Sequence, residues 1–277
     1  MGDAAWVREQ LCAPPSIEAD GWAMQGANEV KVLPKLHHST PVYKSIHKAG
    51  TSSIEYNLRV GGRRQRTYTR HLDPEACNVS SLELQAPFFF TVVRNPISRF
   101  ISAYNTVLQL EHELRARGRF ENYASCGERL EQFVDGMFGD RRLPAKRFRY
   151  DMHIASQMSA LRCTSGGSQP MPLTFIRKLE SLPSSDYLLS NTFLPDHRIG
   201  QANAQKGGRR QCSITSANLS HAILRQLCEY YAQDFVCLEY KLPDACLPTS
   251  GSTQVKLATG GTSLVASAMA AAQRWQG

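Results

Sequence analysis

The amino-acid sequence predicts an α/β domain in which helices flank a central parallel β-sheet. Two short apolar runs, residues 41–46 and 86–93, each end in a polar loop that precedes a helical pattern. A crossover helix is the usual connection between parallel strands, so this alternation favours a parallel sheet. The chain has 277 residues, 42% of them hydrophobic, which is enough to bury a sizeable core.

The order of segments predicts one domain between two flanking regions. Residues 1–40 show no sustained apolar period, which is typical of an irregular lead-in packed on the domain. Residues 41–246 contain no repeat or composition shift and are predicted to form the domain. Residues 247–277 are rich in Ser, Gly, Thr and Ala, so we expect a flexible C-terminal tail, with room for a short helix near its end.

Within the domain, apolar periodicity predicts two further helices. One apolar face begins after Asn105 and runs to Gly118, where glycine favours a helix end. A second, long helix is predicted ahead of Asp234, with an apolar face formed by Ile223, Leu227, Tyr230 and Tyr231.

The charge balance favours anionic partners. Lysine and arginine number 32 against 24 aspartates and glutamates, a net charge of +8. Phosphates, sulfates, acidic glycans, nucleic acid and anionic lipid all fit such a surface, and charge alone leaves the choice open. No window approaches the roughly 18–20 apolar residues of a membrane-spanning helix, and the first ten residues carry charges rather than a signal core. As written, the sequence predicts a soluble chain.

The cysteines and the glycosylation motifs leave the compartment open. The eight cysteines include no C-x-x-C pair, so a dedicated zinc site is not expected. Two N-x-S motifs, at Asn78 and Asn218, matter only if the chain enters a secretory lumen.

The loop after the first apolar run has the composition of an anion-binding site. Its residues are Lys48, Ala49, Gly50, Thr51 and Ser52. At a helix N-terminus their backbone N–H groups, two hydroxyls and an ammonium could receive a phosphate or sulfate. The alternative is a capped turn with an exposed lysine. In the Walker pattern the glycine precedes the lysine, and that order is not present here.

The loop after the second run predicts the start of a helix beside a second anion site. Asn95 is a good N-cap and Pro96 is a favoured first helical residue. Arg94 lies just outside that helix, and with Ser102 it could hold a phosphate through a guanidinium fork and a hydroxyl. Arg94 could equally be a salt-bridge partner, whereas Arg99 is predicted to be structural or an accessory contact.

Together the two loops resemble the nucleotide-binding motifs of Golgi-type carbohydrate sulfotransferases, such as the heparan sulfate and chondroitin enzymes. Arg94, Asn95, Pro96, Arg99 and Ser102 match the family string R-[DN]-P-x-x-R-x-x-S. Residues 175–182 are similar to the family's FIG+xExL, and residues 231–240 to its Y-x-x-D-[FY]…Y. The likeness covers residues 41–242. In the first loop, however, His47 replaces the family's proline and one residue is missing.

The resemblance implies a P-loop-like sulfotransferase fold and transfer of a sulfuryl group from 3′-phosphoadenosine 5′-phosphosulfate (PAPS). In that family the first loop binds the 5′-phosphosulfate and the second binds the 3′-phosphate. The implied partners are this nucleotide donor and a saccharide acceptor, without nucleic acid and without a required metal. The implied location is the Golgi lumen, with the cytoplasm as the alternative. Oligomeric state is left open.

The chemistry also needs an acid for the leaving oxygen and a base for the acceptor hydroxyl. Lys48 is the candidate for the leaving oxygen. His71, which lies between the two loops where related heparan sulfate enzymes place a catalytic histidine, is the first candidate base. His153, in an H-x-x-x-Q segment similar to that of the family, is the second. Lys206 belongs to a cationic segment, residues 200–210, that resembles a lid over the nucleotide.

Other functions remain compatible with the sequence. The same donor site could serve a small-molecule alcohol or amine as acceptor. A nucleotide kinase would require the Walker pattern and a magnesium carboxylate, and neither is recognisable. A non-catalytic polyanion-binding domain would need only the positive charge. Two basic clusters could hold an acidic acceptor or could be solvated faces; they consist of Arg63, Arg64, Arg66 and Arg70, and of Arg141, Arg142, Lys146, Arg147 and Arg149.

Overall fold

The computed structural model describes part of the chain. The described residues are Cys12 and residues 29–32, 42–51, 68–71, 89–105, 125–138, 153–161, 173–182 and 214–247.

A five-stranded sheet organises these residues, with strand order β3-β1-β2-β4-β5. The strands are β1 Glu29–Val32, β2 Val42–Lys44, β3 Tyr68–His71, β4 Phe89–Val93 and β5 Phe175–Lys178. β2, β4 and β5 are parallel neighbours, whereas β1 is antiparallel to both β2 and β3. The predicted α/β class is confirmed, and the sheet is mixed because β1 runs against the other four strands. Those four therefore end at one edge of the sheet, which we call the carboxyl edge.

The lead-in differs from the prediction at β1. Residues 29–32 were expected to be irregular, but they form a strand between β2 and β3. Their sequence, Glu-Val-Lys-Val, does alternate polar and apolar residues as a strand requires. Four residues are too few for that alternation to stand out from chance, so the pattern gave no usable signal.

The central strand explains why the second apolar run is so continuous. All five residues of β4 are buried, and β4 lies between β2 and β5. A strand covered on both faces reads as an apolar run rather than as an alternation.

The described residues also form five helices and three 3-10 turns. The helices are α1 Pro96–Ala103, α2 Cys126–Phe138, α3 Gln157–Ala160, α4 His221–Tyr230 and α5 Ala232–Cys237. The 3-10 turns are Leu179–Ser181, Ser216–Asn218 and Asp244–Cys246. The helix predicted from Asn105 to Gly118 lies outside the described residues beyond Asn105.

One predicted helix start and one predicted helix end can be compared with the structure. α1 begins at Pro96, and the Asn95 side chain accepts hydrogen bonds from the two backbone amides that follow it, so the predicted cap is confirmed. The predicted long C-terminal helix is interrupted at Tyr231 and resumes as α5. Asp234 was expected beyond the helix, but it lies inside α5, where its carboxylate binds a neighbouring helix start.

The main core lies where α1, α2 and α4 pack together. Phe100 of α1, Val134 and Met137 of α2 and Leu227 of α4 have no exposed surface. The Phe100 ring stands edge-on to Tyr231, with 6.5 Å between the ring centroids. This core fixes α1, and with it the loop that precedes α1.

Disulfides hold the ends of the described chain. Cys12 is bonded to Cys237 and Cys228 to Cys246, while Cys126 is bonded to a cysteine outside the described residues. Each of the five described cysteines is therefore oxidised. None of the described helices is long and apolar enough to cross a lipid bilayer.

Candidate functional site

Two loops lie side by side at the carboxyl edge of the sheet. We call residues 45–51, after β2, the Lys48 corner, and residues 94–98, after β4, the Arg94 corner. β2 and β4 are parallel neighbours, so both loops leave the sheet at the same edge. The guanidinium Nη1 of Arg94 donates to the carbonyl oxygen of Lys48 over 3.2 Å. The two corners are thus adjacent, as a single ligand spanning both would require.

The Lys48 corner has a strained backbone. Lys48 has φ 66° and Gly50 has φ 84°, both in the left-handed region. That region is costly for residues other than glycine, and such residues tend to occur at functional sites. A Cβ on Gly50 would lie 2.6 Å from Cδ1 of Leu179, so the Leu179 side chain would have to shift to admit one.

Hydroxyl groups hold this corner from within. Thr51 Oγ1 donates to the carbonyl oxygen of Ile46 over 2.8 Å and accepts from Ser45 Oγ over 3.2 Å. The Tyr43 hydroxyl lies 3.3 Å from Thr51 Oγ1. Ala49 donates its backbone N–H to Ile46, and its side chain is buried. The Thr51 hydroxyl and the Ala49 amide, both predicted to bind the donor, here shape the loop itself.

A buried arginine ties the Lys48 corner to the segment before α3. Arg99 is 1% exposed, and its Nε donates to the carbonyl oxygen of His47 over 2.9 Å. Its Nη1 donates to the carbonyl oxygen of Ala155 over 2.7 Å. These contacts to main-chain carbonyls are those of a structural residue.

The backbone of Arg94 is held on both sides by one glutamine. The amide N–H of Arg94 donates to Gln157 Oε1 over 2.9 Å, and Gln157 Nε2 donates to the Arg94 carbonyl oxygen over 2.7 Å. Gln157 is fully buried. A fixed amide that both accepts from and donates to Arg94 sets the direction in which the chain leaves β4.

Asp234 holds that glutamine in place. Its carboxylate accepts from the backbone N–H groups of Gln157 and Met158 over 2.8 and 2.9 Å, and from Ser156 Oγ over 2.5 Å. Asp234 thereby caps α3. Burial raises the pKa of this carboxyl, and the hydrogen bonds from Ser156, Met158 and Gln157 oppose that rise.

A second carboxylate supports the Arg94 corner from the other side. Glu180 Oε1 accepts from the backbone N–H of Asn95 over 2.7 Å, and its Oε2 accepts from the Tyr240 hydroxyl over 3.1 Å. Burial, then the charge of Glu180, raises the pKa of Tyr240, so the phenol keeps the proton it donates. Burial lowers the pKa of Arg94, and Glu180 opposes this shift. An arginine stays protonated under such conditions.

Part of the Arg94 guanidinium remains available for a ligand. Arg94 is half-buried, and its Nη1 is the guanidinium nitrogen with a protein partner among the described residues. Nε and Nη2 have no hydrogen-bond partner among the described residues, so they are open donors beside the Lys48 corner. Their planar arrangement fits one phosphate group, which is compatible with one end of an anionic nucleotide.

The candidate bases occupy the same edge of the sheet. His71 is the last residue of β3. The residue before it, Arg70, pairs with Val30 of β1, and Val30 pairs on its other side with Lys44 of β2. The backbone of His71 is thus at the carboxyl edge, two strands or about 10 Å from β2; its side chain lies outside the described residues. His153 is half-buried against the Lys48 corner, with its ring 4.7 Å from that of His47.

Three other predicted ligands can be placed only in part. Ser102 is half-buried on α1, on the side of the helix that includes Ser98 rather than the core residues. Ser52 and Lys206 lie outside the described residues. No group of three metal-ligating side chains occurs in the described part of the chain.

Sequence reasoning missed four residues that build the Arg94 corner. Gln157, Glu180, Asp234 and Tyr240 all lie in segments that had been singled out as motifs, yet none was given a role. The signal that could have identified them was the presence of a polar residue at a fixed position in each family motif. These residues come from three motif segments, and the structure brings the three segments together around Arg94 and Asn95.

Comparison with known proteins gives one match. The model of the family described as "Sulfotransferase family" matches residues 40–241, which is nearly the span of the motifs, and well over half of the chain. No curated protein and no solved structure matches.

Proposed function

Because the chain belongs to the sulfotransferase family, we propose that it moves the sulfuryl group of PAPS to a hydroxyl of an acidic saccharide inside the secretory lumen. The chain is a sulfotransferase enzyme, and membership of the family implies PAPS as the sulfate donor. The acceptor, the residue roles and the compartment belong to the proposal.

The contact between Arg94 and Lys48 carries the assignment of the donor site. It brings the Arg94 guanidinium against the strained loop that carries Lys48. In the proposal, Nε and Nη2 of Arg94 bind the 3′-phosphate, and the Lys48 corner receives the phosphosulfate. The donor, when bound, supplies a sulfuryl group whose bond to the phosphate oxygen is already weak. Lys48 neutralises the charge that develops on that oxygen.

The base is assigned to His71. The acceptor hydroxyl must lose its proton as its oxygen approaches sulfur, and a neutral imidazole can take that proton near neutral pH. The carboxyl-edge position of His71, about two strands from the Lys48 corner, supports this role. His153, whose ring lies against His47, is the second candidate.

The proposed acidic acceptor rests on the net charge of the chain, and the proposed lumenal location rests on the oxidation of its cysteines. A net charge of +8 favours a polyanionic acceptor. Disulfides persist in oxidising compartments, and each of the five described cysteines is disulfide-bonded. Both observations also allow a small alcohol or amine as acceptor. The transfer assay below therefore includes acceptors of that kind.

Binding of the desulfated nucleotide, 3′-phosphoadenosine 5′-phosphate, tests the donor site. At a concentration of about 100 times Kd, a ligand selective for the folded state adds about 2.7 kcal/mol, a rise in Tm of roughly 5–10 °C. Arg94→Ala should remove most of that rise. A wild-type Tm that stays constant at saturating nucleotide would exclude the donor assignment.

A transfer assay with radiolabelled PAPS tests the acceptor and the base. Label should appear on sulfated glycan acceptors rather than on small alcohols and amines, and the reverse pattern would select the small-molecule alternative. His71→Ala should lower kcat by about 10²–10⁴-fold while keeping the nucleotide-induced rise in Tm. His153→Ala is the matched control, and a larger loss of kcat in that variant would transfer the role to His153.

A further inference from the structure

A glycosylation motif lies on an exposed turn that the proposed reaction does not use. Asn218, Leu219 and Ser220 form an N-x-S motif at the end of the 3-10 turn Ser216–Asn218. Asn218 and Ser220 are exposed, whereas Leu219 is buried and anchors the turn on the core. We propose that the side-chain nitrogen of Asn218 carries an N-linked glycan.

The hydrogen bonds of this turn leave the reacting atom accessible. Asn218 Oδ1 accepts from the backbone N–H of Thr215 over 2.9 Å and from its hydroxyl over 2.7 Å. These bonds use the oxygen, whereas glycosylation uses Nδ2. The amide oxygen persists after modification and continues to accept both bonds. The folded turn is therefore unchanged by the glycan.

The turn lies away from the Arg94 corner. Just before the turn, Ile214 exchanges hydrogen bonds with Asn105: Asn105 Nδ2 donates to the Ile214 carbonyl oxygen over 3.0 Å, and the Ile214 N–H donates to Asn105 Oδ1 over 3.3 Å. Asn105 follows the C-terminal end of α1, whereas the Arg94 corner precedes its N-terminal end. Eight residues of helix span about 12 Å. A glycan on the exposed turn projects into solvent at that distal end.

The group transfer needs a lipid pyrophosphate-linked oligosaccharide as co-reactant, which the secretory lumen supplies. A bond forms between Nδ2 of Asn218 and the anomeric carbon of the oligosaccharide, and the bond from that carbon to the pyrophosphate oxygen breaks. The lipid pyrophosphate leaves with that oxygen, and one amide proton is released. The proposal rests on the lumenal part of the proposed function and is independent of donor binding.

The test is expression of the whole chain behind a cleavable secretory signal in mammalian cells, with Asn78→Gln so that Asn218 is in the one remaining motif. Peptide:N-glycosidase F removes the glycan and converts a glycosylated asparagine to aspartate, which peptide mass spectrometry locates. We expect aspartate at position 218 and a faster-migrating band after digestion. Secreted chain with the Cys228–Cys246 bond formed but unmodified Asn218 would overturn the proposal.

Two matched variants separate the motif from the fold. Asn218→Asp keeps an oxygen for Thr215 but removes the glycosylated nitrogen, so the band shift should vanish while secretion persists. Ser220→Thr keeps both the motif and the hydroxyl that accepts from Ile223 N–H at the start of α4, so the shift should remain. A shift that survives Asn218→Asp would also refute the site. PAPS-dependent transfer, measured on the same preparations, distinguishes failure of glycosylation from failure of the proposed function.

Discussion

The two corners of the candidate site are built in opposite ways. The Lys48 corner is held largely by residues close in sequence, through the Thr51 hydroxyl and two left-handed backbone positions. The Arg94 corner is held by side chains 60 or more residues away, through Gln157 and Glu180. Changes far along the chain should therefore damage the Arg94 corner and the phosphate binding that we propose there, whereas local backbone changes should damage the Lys48 corner.

Among substitutions in the two corners, the largest effect is expected from Lys48→Met, which keeps the side-chain length but removes the charge. Loss of one group that stabilises a developing oxyanion lowers kcat by about 10²–10³-fold. Since Arg94 is unchanged, the rise in Tm with 3′-phosphoadenosine 5′-phosphate should persist in part. Steady-state kinetics and thermal shift measured together check this separation. Equal kcat in the two proteins would show that the Lys48 corner does not act on the leaving oxygen.

Asp234→Asn tests whether the Arg94 corner depends on remote support. The amide keeps one acceptor but turns an NH₂ group toward backbone donors, which leaves buried groups unsatisfied at about 1–3 kcal/mol each. We expect the free energy of unfolding to fall by about 2–4 kcal/mol and the nucleotide Kd to rise by about tenfold, because Gln157 loses its anchor. Chemical denaturation and nucleotide titration at a temperature where the variant is folded measure the two effects.

The control for this variant is Asp244→Asn, at an exposed carboxylate in the 3-10 turn Asp244–Cys246. It should leave both quantities nearly unchanged. Unaltered nucleotide affinity in folded Asp234→Asn would contradict the dependence of the Arg94 corner on α5.

Gly50→Ala tests the local strain of the Lys48 corner. A Cβ at a left-handed position beside Leu179 should lower the free energy of unfolding by about 1–3 kcal/mol. Adding Leu179→Ala should relieve the clash but not the backbone strain, so a double-mutant cycle separates the two terms.

Gly127→Ala is the matched control for that substitution, because Gly127 lies on α2, where a Cβ would meet only Ser125 Oγ at an ordinary contact distance of 3.8 Å. This variant should be neutral or up to about 1 kcal/mol more stable. An equal cost at positions 50 and 127 would remove the argument that Gly50 is special.

The smallest effect is expected at the cap of α1. Asn95→Ala removes the acceptor of two backbone N–H groups and should cost about 1 kcal/mol of unfolding free energy, measured by denaturation. Asn95→Ser keeps a capping oxygen and should recover most of that loss. If Ala and Ser cost the same, the Asn95 side chain is not what begins the helix.

Local chemistry explains what the sequence could predict. The cap at Asn95 and the first helical residue Pro96 depend on preferences of single residues, and both were confirmed. β4 was recognisable because a strand buried on both faces is apolar throughout. β1 could not be recognised, since four alternating residues carry too little pattern.

Long-range partners explain what the sequence could not predict. Gln157 binds Arg94 from 63 residues further along the chain, and Asp234 binds Gln157 from 77 residues beyond that. Contacts between residues so far apart leave no local pattern in the sequence. The similarity to family motifs indicated that these segments were important, but it did not indicate what they contact. The break between α4 and α5 belongs to the same class, because it turns Asp234 toward α3.

The late position of Asp234 and Tyr240 has a consequence for synthesis on the ribosome. A chain emerges from its N-terminus, so Arg94 and Asn95 leave the exit tunnel well before the residues that brace them from positions 234 and 240. Until those last segments are released, the nascent polypeptide has an Arg94 corner that lacks its bracing carboxylate and phenol. The hydrogen bonds that define this corner can therefore form in full only when translation is nearly complete.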